Sequence, residues 1–259
     1  MITCLKPPAN LPVAMRHFEG RFFNALLMPR RPPKKLDPTL DLSGHLLGLA
    51  SLSMPLDPGL LFPAGPDGAS PVELEVGSGK GLFLASASAA QPSRNFLGAE
   101  IAGGYARLCA GKLARLQATN AKVIHGDATT LVCSLLPDAC LAGVHVYFPD
   151  PWWKARHRKR RVLSDVFLEH AGRVLQHGSE LHIWTDVEEY FNESMAAAHA
   201  TGLFGEEHDE LASPGEHDLD YRTHFERRTR LAGEPVWRAV LKRNDAAPRF
   251  ARVEIPAIG

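Results

Sequence analysis

Net charge is the first thing this sequence lacks: 29 lysines and arginines face 29 aspartates and glutamates across 259 residues. Any affinity for a polyanion must come from a local cluster rather than from the molecule as a whole. Cysteine is scarce. Cys4, Cys109, Cys133 and Cys140 form no C-x-x-C pair, which argues for reduced thiols and against a structural zinc site. The 12 histidines show no H-x-x-x-H spacing, so no metal is expected. No apolar run approaches the roughly 18 residues of a membrane span, and the opening MITCLKPPANLPVAMRHFEG lacks the apolar block of a secretory signal. A soluble, cytoplasmic protein with no membrane contact is the expectation. What is present is core material, 45% hydrophobic residues, over a length that fits one large domain or one and a half at about 150 residues each.

Twelve of the 20 prolines precede Val72. Each removes a backbone donor and restricts its predecessor, so this stretch can be neither a long helix nor a central strand. Residues 1–71 therefore read as a proline-rich arm with short helical pieces. The arm is either a leader packed on the main domain or, through Arg30, Arg31, Lys34 and Lys35, a nucleic-acid contact. From Val72 the pattern changes to short apolar runs alternating with helical periods, the mark of a parallel sheet with crossover helices. Strands are expected at 72–76, 95–100, 121–125, 144–148 and 180–185. PVWRAVLKR supplies a final antiparallel strand, and Gly178 reads as a helix stop. The domain so defined, 72–245, is doubly wound α/β, followed by a tail over 246–259.

In VELEVGSGKG, Glu75 stands near the end of the first of these strands and Gly77, Gly79 and Gly81 form the turn into a helix. Glycines there let the backbone turn sharply and a ligand lie directly on it. The G-x-G-x-G spacing departs from the dinucleotide fingerprint, and an acid two residues before the loop repels a pyrophosphate but accepts a hydrogen bond from an ammonium group. Glu100 ends the next strand, placed for two ribose hydroxyls, and Asp127 follows the third, placed for an adenine edge. Together these residues describe a pocket for S-adenosylmethionine.

VHVYFPDPWWKARHRKRR carries the second half of the function. Two prolines stiffen the backbone on either side of Asp150 at a strand end, an arrangement that suits a catalytic or base-orienting carboxylate. Six of the eight residues from Lys154 to Arg161 are Lys or Arg. Such a run binds phosphates through counterion release, and Trp152 and Trp153 offer faces on which a base can stack. The plainer alternative is a solvated helix start with core tryptophans. Asp186 closes the fifth strand on the ligand side, with a helix N-cap as its structural alternative.

With ELEVGSGKG, FLGAE, HGDA, YFPDPWWKARHRKRR, WTD, THFE and GEPVWRAVLKR, the chain resembles the bacterial tRNA (guanine-N7-)-methyltransferases over about Val72 to Arg243. The resemblance implies a class I S-adenosylmethionine-dependent methyltransferase fold, Rossmann-like with a mostly parallel seven-stranded sheet, and tRNA methylation at N7 of the variable-loop guanine, position 46. It implies cofactor binding by Glu75, Gly77, Gly79, Gly81, Glu100, Asp127 and Asp150, with Asp150 also catalytic. It places Lys154, Asp186, Thr223, His224, Phe225 and Glu226 around the target guanine, and Arg156, Arg158, Lys159, Arg160 and Arg161 against tRNA. His224 stands where most members carry lysine. A monomer or homodimer is expected. Three rivals stand beside this reading: methylation of an exocyclic base nitrogen, a tRNA-binding protein that keeps the fold without catalysis, and a dinucleotide oxidoreductase, which Glu75 and the glycine spacing disfavour.

Overall fold

The computed structural model describes residues 36–64, 68–208 and 223–252, nearly all within the unit Pro38–Gly259. The basic cluster Arg30, Arg31, Lys34 and Lys35, and the acidic segment from 209 onward, lie outside the described residues. Eight strands are described: β1 (Leu46–Gly48), β2 (Val72–Val76), β3 (Asn95–Glu100), β4 (Ala121–His125), β5 (Leu141–Tyr147), β6 (Leu175–Thr185), β7 (Phe204–His208) and β8 (Trp237–Arg243). The helices are α1 (Leu82–Ala90), α2 (Gly103–Arg115), α3 (Ala128–Thr130), α4 (Asp165–Val174), α5 (Glu188–Ala200) and α6 (His224–Leu231).

The strands form one sheet in the order β1-β4-β3-β2-β5-β6-β8-β7, parallel from β1 to β6 and antiparallel where β8 pairs with β6 and β7. The chain therefore winds outward from β2 through β3 and β4, then returns to the other side of β2 with β5 and β6. That reversal makes a crevice at the carboxyl ends of β2 and β5, the place where such sheets bind ligands.

One strand exceeds the expected seven. It comes from the arm: His45-Leu46-Leu47-Gly48 lies in a proline-free window, and the His45 carbonyl accepts from Val123 N at 2.8 Å. Three residues at the sheet edge respect the limit that the surrounding prolines set. The expected helix stop at Gly178 is corrected. The helix ends at Val174 and β6 begins at the next residue. Gly178, with φ +77°, lies in the stretch where the β5–β6 register shifts, so its left-handed backbone accommodates a bulge rather than a helix end.

β2 explains why the molecule has two cores. Val72, Leu74 and Val76 project from one face into a cluster with Leu97, Val144 and Leu181. Alternation then sends Glu73 and Glu75 to the opposite face, where Phe83, Leu84, Cys109 and Leu113 of α1 and α2 form the second cluster. Two buried carboxylates thus enter an apolar layer on consecutive same-face positions.

Part of the expected tail is tied down. Arg243 donates from Nε to Gly172 O at 2.6 Å and from Nη2 to Ala246 O at 2.7 Å. Arg249 donates from Nε and Nη2 to Glu169 Oε2 at 3.0 and 2.8 Å, while its backbone N–H reaches Oε1. Glu169 is fully buried, so the tail carries its neutralising charge. Arg249→Ala removes charge-assisted bonds from a buried carboxylate and is expected to cost roughly 2 kcal/mol, read as a lower midpoint in urea unfolding.

Candidate active site

Glu73 and Glu75 have opposite fates. Glu73 is bonded by Arg94 Nη1 and by His145 Nε2, the latter at 2.7 Å. Burial pushes its carboxyl up, but these two partners outweigh it and hold it below the ordinary range. Glu75 is 3% exposed and its Oε2 has no hydrogen-bond partner. Burial, reinforced by the nearby Glu100 and opposed by Lys112, pushes its carboxyl up to about 8. A buried polar atom left unpaired costs about 1–3 kcal/mol. Glu75 lies one residue before the end of β2, and among the described residues no donor meets its Oε2.

The loop beyond it is open to a ligand. Gly77, Gly79 and Gly81 have φ of +77°, +53° and +68°, a region that side chains resist. Gly77 N and Ser78 N donate to Ala99 O at 2.8 and 3.2 Å, which pins the loop to β3. A Cβ on Gly81 would lie 2.4 Å from Cys109 Sγ, so that glycine is fixed by packing against α2; one on Gly77 would meet nothing within 4 Å. Glu100 Oε2 accepts from Gly79 N and its Oε1 from Ala102 N, both at 2.8 Å. Each oxygen keeps one acceptor position. Asp127 accepts from Thr129 N, Thr130 N and Thr130 Oγ1 at 3.2, 3.2 and 2.9 Å, three of its about four acceptor positions. These residues fit S-adenosylmethionine: an unpaired buried acceptor for an ammonium, a backbone cradle without side chains, and two further carboxylates with capacity left.

Across the crevice, β5 runs into Phe148-Pro149-Asp150-Pro151-Trp152. Phe148 and Trp152 have φ of +50° and +45°, strained values for aromatic residues. Phe148 N donates to Trp184 O at 2.7 Å, and its ring stacks on Phe225 at 6.3 Å. Asp150 is exposed between the prolines. A 3-10 turn, Ala155–Arg160, follows in place of a regular helix start. Lys154, Arg156, Arg158, Lys159 and Arg160 are exposed along it. Arg158 also pairs with Glu189 and Glu193 at 3.2 and 3.4 Å, and Arg160 lies 5.1 Å over Trp152. Arg161 is the exception in this run. Its side chain is 8% exposed and bonded inside the protein.

Asp186 directly follows Thr185, the last residue of β6, at the same rim, and the turn into α5 is held by Thr185 Oγ1, which accepts from Val187 N at 3.2 Å. The T-x-x-E stretch is a capping box in its first half, with Thr223 Oγ1 accepting from Glu226 N at 3.0 Å. Glu226 is buried and pairs with Arg230 at 3.0 Å and Arg238 at 3.8 Å. Arg238 in turn lies 4.7 Å over Trp184. Of the expected substrate contacts, Glu226 thus locks α6 onto β6 and β8, whereas Phe225 is half exposed beside Phe148. His224 opens α6.

A family described as "Putative methyltransferase" matches residues 69–239. A tRNA (guanine-N(7)-)-methyltransferase of Rhodopirellula baltica is 44% identical over 224 residues, 84% of this chain and 81% of that protein. A protein of the same name from Nitrosospira multiformis is 33% identical, covering 88% of this chain and 93% of its own. The chain belongs to this methyltransferase family. Its doubly wound sheet is the class I S-adenosylmethionine-dependent fold expected from sequence. Among the described residues, no group of three or more His, Cys, Asp or Glu is placed to hold a metal ion, and no helix is long and apolar enough to cross a membrane.

Two residues beside the strand-end acids were not singled out by the sequence. Ile101, next to Glu100, is an aliphatic side chain left 70% exposed just beyond the carboxyl end of β3. Its signal was position alone, an aliphatic residue directly after a strand-end acid. Lys112 on α2 is a second charge close to Glu75; it lies among alternating small and apolar residues with nothing to single it out.

Glu75 gives a pH prediction. Its folded carboxyl, near 8, lies above the unfolded value of about 4.3, so the folded state binds the extra proton between them and stability falls as pH rises through this window. Glu75→Gln cannot ionise. Without cofactor, its melting temperature should exceed that of the unsubstituted protein by a margin that widens from pH 6 to pH 8.5, while cofactor affinity drops. A constant margin would assign no titration to Glu75.

Proposed function

We propose that this protein transfers the methyl group of S-adenosylmethionine to N7 of the variable-loop guanine, position 46, of tRNA in the cytoplasm. The observation that carries the reading is the unpaired, buried Oε2 of Glu75 at the β2–β5 switch point, one strand away from Asp150. Membership in the family supplies the substrate class.

S-adenosylmethionine, when bound, supplies an electrophilic methyl group. Glu75 would take its ammonium, Glu100 the ribose hydroxyls and Asp127 the adenine edge, with Gly77 and Gly79 beneath. Guanine N7 carries an in-plane lone pair and no proton, so no residue here has to act as a base. What remains for the protein is alignment, worth up to about 7–11 kcal/mol when geometry is ideal. Asp150 and Asp186 accept from the guanine N1–H and exocyclic amine and so fix which edge faces the methyl group. Lys154 holds a nearby phosphate or carbonyl oxygen, and Phe225 offers a face for the base. Because N7 is recessed in the major groove of paired RNA, the base must come from a loop or turn outward.

Asp150→Ala is expected to leave cofactor affinity within about twofold and to lower methyl transfer by at least ~100-fold, measured by calorimetry and by radiolabelled methyl incorporation into tRNA. Undiminished turnover removes Asp150 from the mechanism. The exposed run predicts tRNA affinity that falls steeply with salt, and Lys159→Ala should reduce the slope of log K against log salt by about one. A flat response in the unsubstituted protein would make the run a solvated surface.

A further inference from the structure

We propose that Arg161 is a positioning residue for Asp150, holding the strained Pro149–Trp152 turn in place, and not a phosphate contact. The inference rests on the tRNA methyl-transfer reading of the same site. The run from Lys154 to Arg161 holds six lysines and arginines; Arg158 shares the Glu193 carboxylate with Arg161, but Arg161 is the one whose buried guanidinium also reaches the backbone of the turn. Nε donates to the carbonyl of Pro151 at 2.7 Å. Nη1 pairs with Glu193, and the guanidinium carbon lies 4.6 Å from the centre of the Tyr190 ring. Tyr190 is itself fixed, 1% exposed, with its hydroxyl accepting from Leu163 N at 3.3 Å. Arg161 therefore joins α5 to the residue directly after Asp150.

The turn needs such a restraint. Phe148 and Trp152 hold positive φ on either side of the Pro-Asp-Pro triplet, each costing about 1–3 kcal/mol unless the surroundings enforce it. At the Phe148 end the bond to Trp184 O supplies the restraint; at the other end the described backbone contact is the one from Arg161. Only a guanidinium can donate to a carbonyl and a carboxylate in fixed directions while stacking on a ring, so lysine does not replace it. A shift of about 1 Å at a reacting centre costs on the order of 100-fold in rate.

The test uses Arg161→Lys, which keeps the charge, with Glu193→Gln as a milder second variant that weakens the same anchor from α5. Single-turnover methyl transfer to tRNA at saturating cofactor, tRNA affinity and its salt slope are measured below the melting temperature of every variant. The expected result is a rate lowered at least ~30-fold in Arg161→Lys and several-fold in Glu193→Gln, with tRNA affinity within twofold and the salt slope unchanged in Arg161→Lys; Glu193 also pairs with Arg158, so the second variant is read by its rate alone. A lysine variant with full rate, or an Arg161→Ala variant whose only defect is weaker tRNA binding with a slope reduced by about one, overturns the proposal. Absence of methyl transfer by the unsubstituted protein would overturn the reading on which it rests, and the proposal with it.

Discussion

A carboxylate buried without a partner is the feature around which the site is organised. β2 sends two glutamates into the same apolar layer. Arg94 and His145 neutralise Glu73, while Glu75 keeps an oxygen that has no hydrogen-bond partner among the described residues. The adjacent Glu100 raises the cost further. Without a ligand the burden is met by protonation of Glu75, and a methyl donor with an ammonium group is a cationic partner that would favour its charged form instead. The glycine loop follows from the same need, because the ligand that reaches Glu75 has to lie on bare backbone.

In the proposed reading, the sheet order turns that local feature into a two-substrate site. With β2 and β5 adjacent and parallel, the loop after Glu75 and the turn around Asp150 open into one crevice. Each side is rigid in its own way. The loop is pinned by amide bonds to Ala99 and Glu100, and the turn by its prolines, by the Phe148–Trp184 bond and by Arg161. Rigidity on both sides is what a reaction without general-base chemistry requires, since alignment is the main contribution left to the protein.

Much of this was legible in the sequence. β2, β3 and β4 have the bounds that periodicity and turn residues indicated, because each is a short apolar run closed by glycine or an acid. Glu75 and Glu100 stood out as acids for the same reason, and both are buried: an acid at or next to the tip of a buried strand is expensive and so informative. What escaped depends on partners remote in sequence. Nothing within a run of like charges reveals that Arg161 alone turns inward, because its carboxylate partner lies 32 residues downstream. Gly178 looked like a helix end because a bulge and a C-cap ask for the same left-handed glycine. β1 was hidden by the prolines around it. Glu226 entered through family resemblance alone, although the T-x-x-E spacing already pointed to a capping box.

The most direct measurement is a crystal structure of the protein with S-adenosylhomocysteine, the product that keeps the amino acid moiety of the methyl donor. The account predicts its amino group within about 2.7–3.2 Å of Glu75 Oε2, with the ribose at Glu100. A complex in which the product sits elsewhere, or in which Glu75 Oε2 still has no partner, would contradict it.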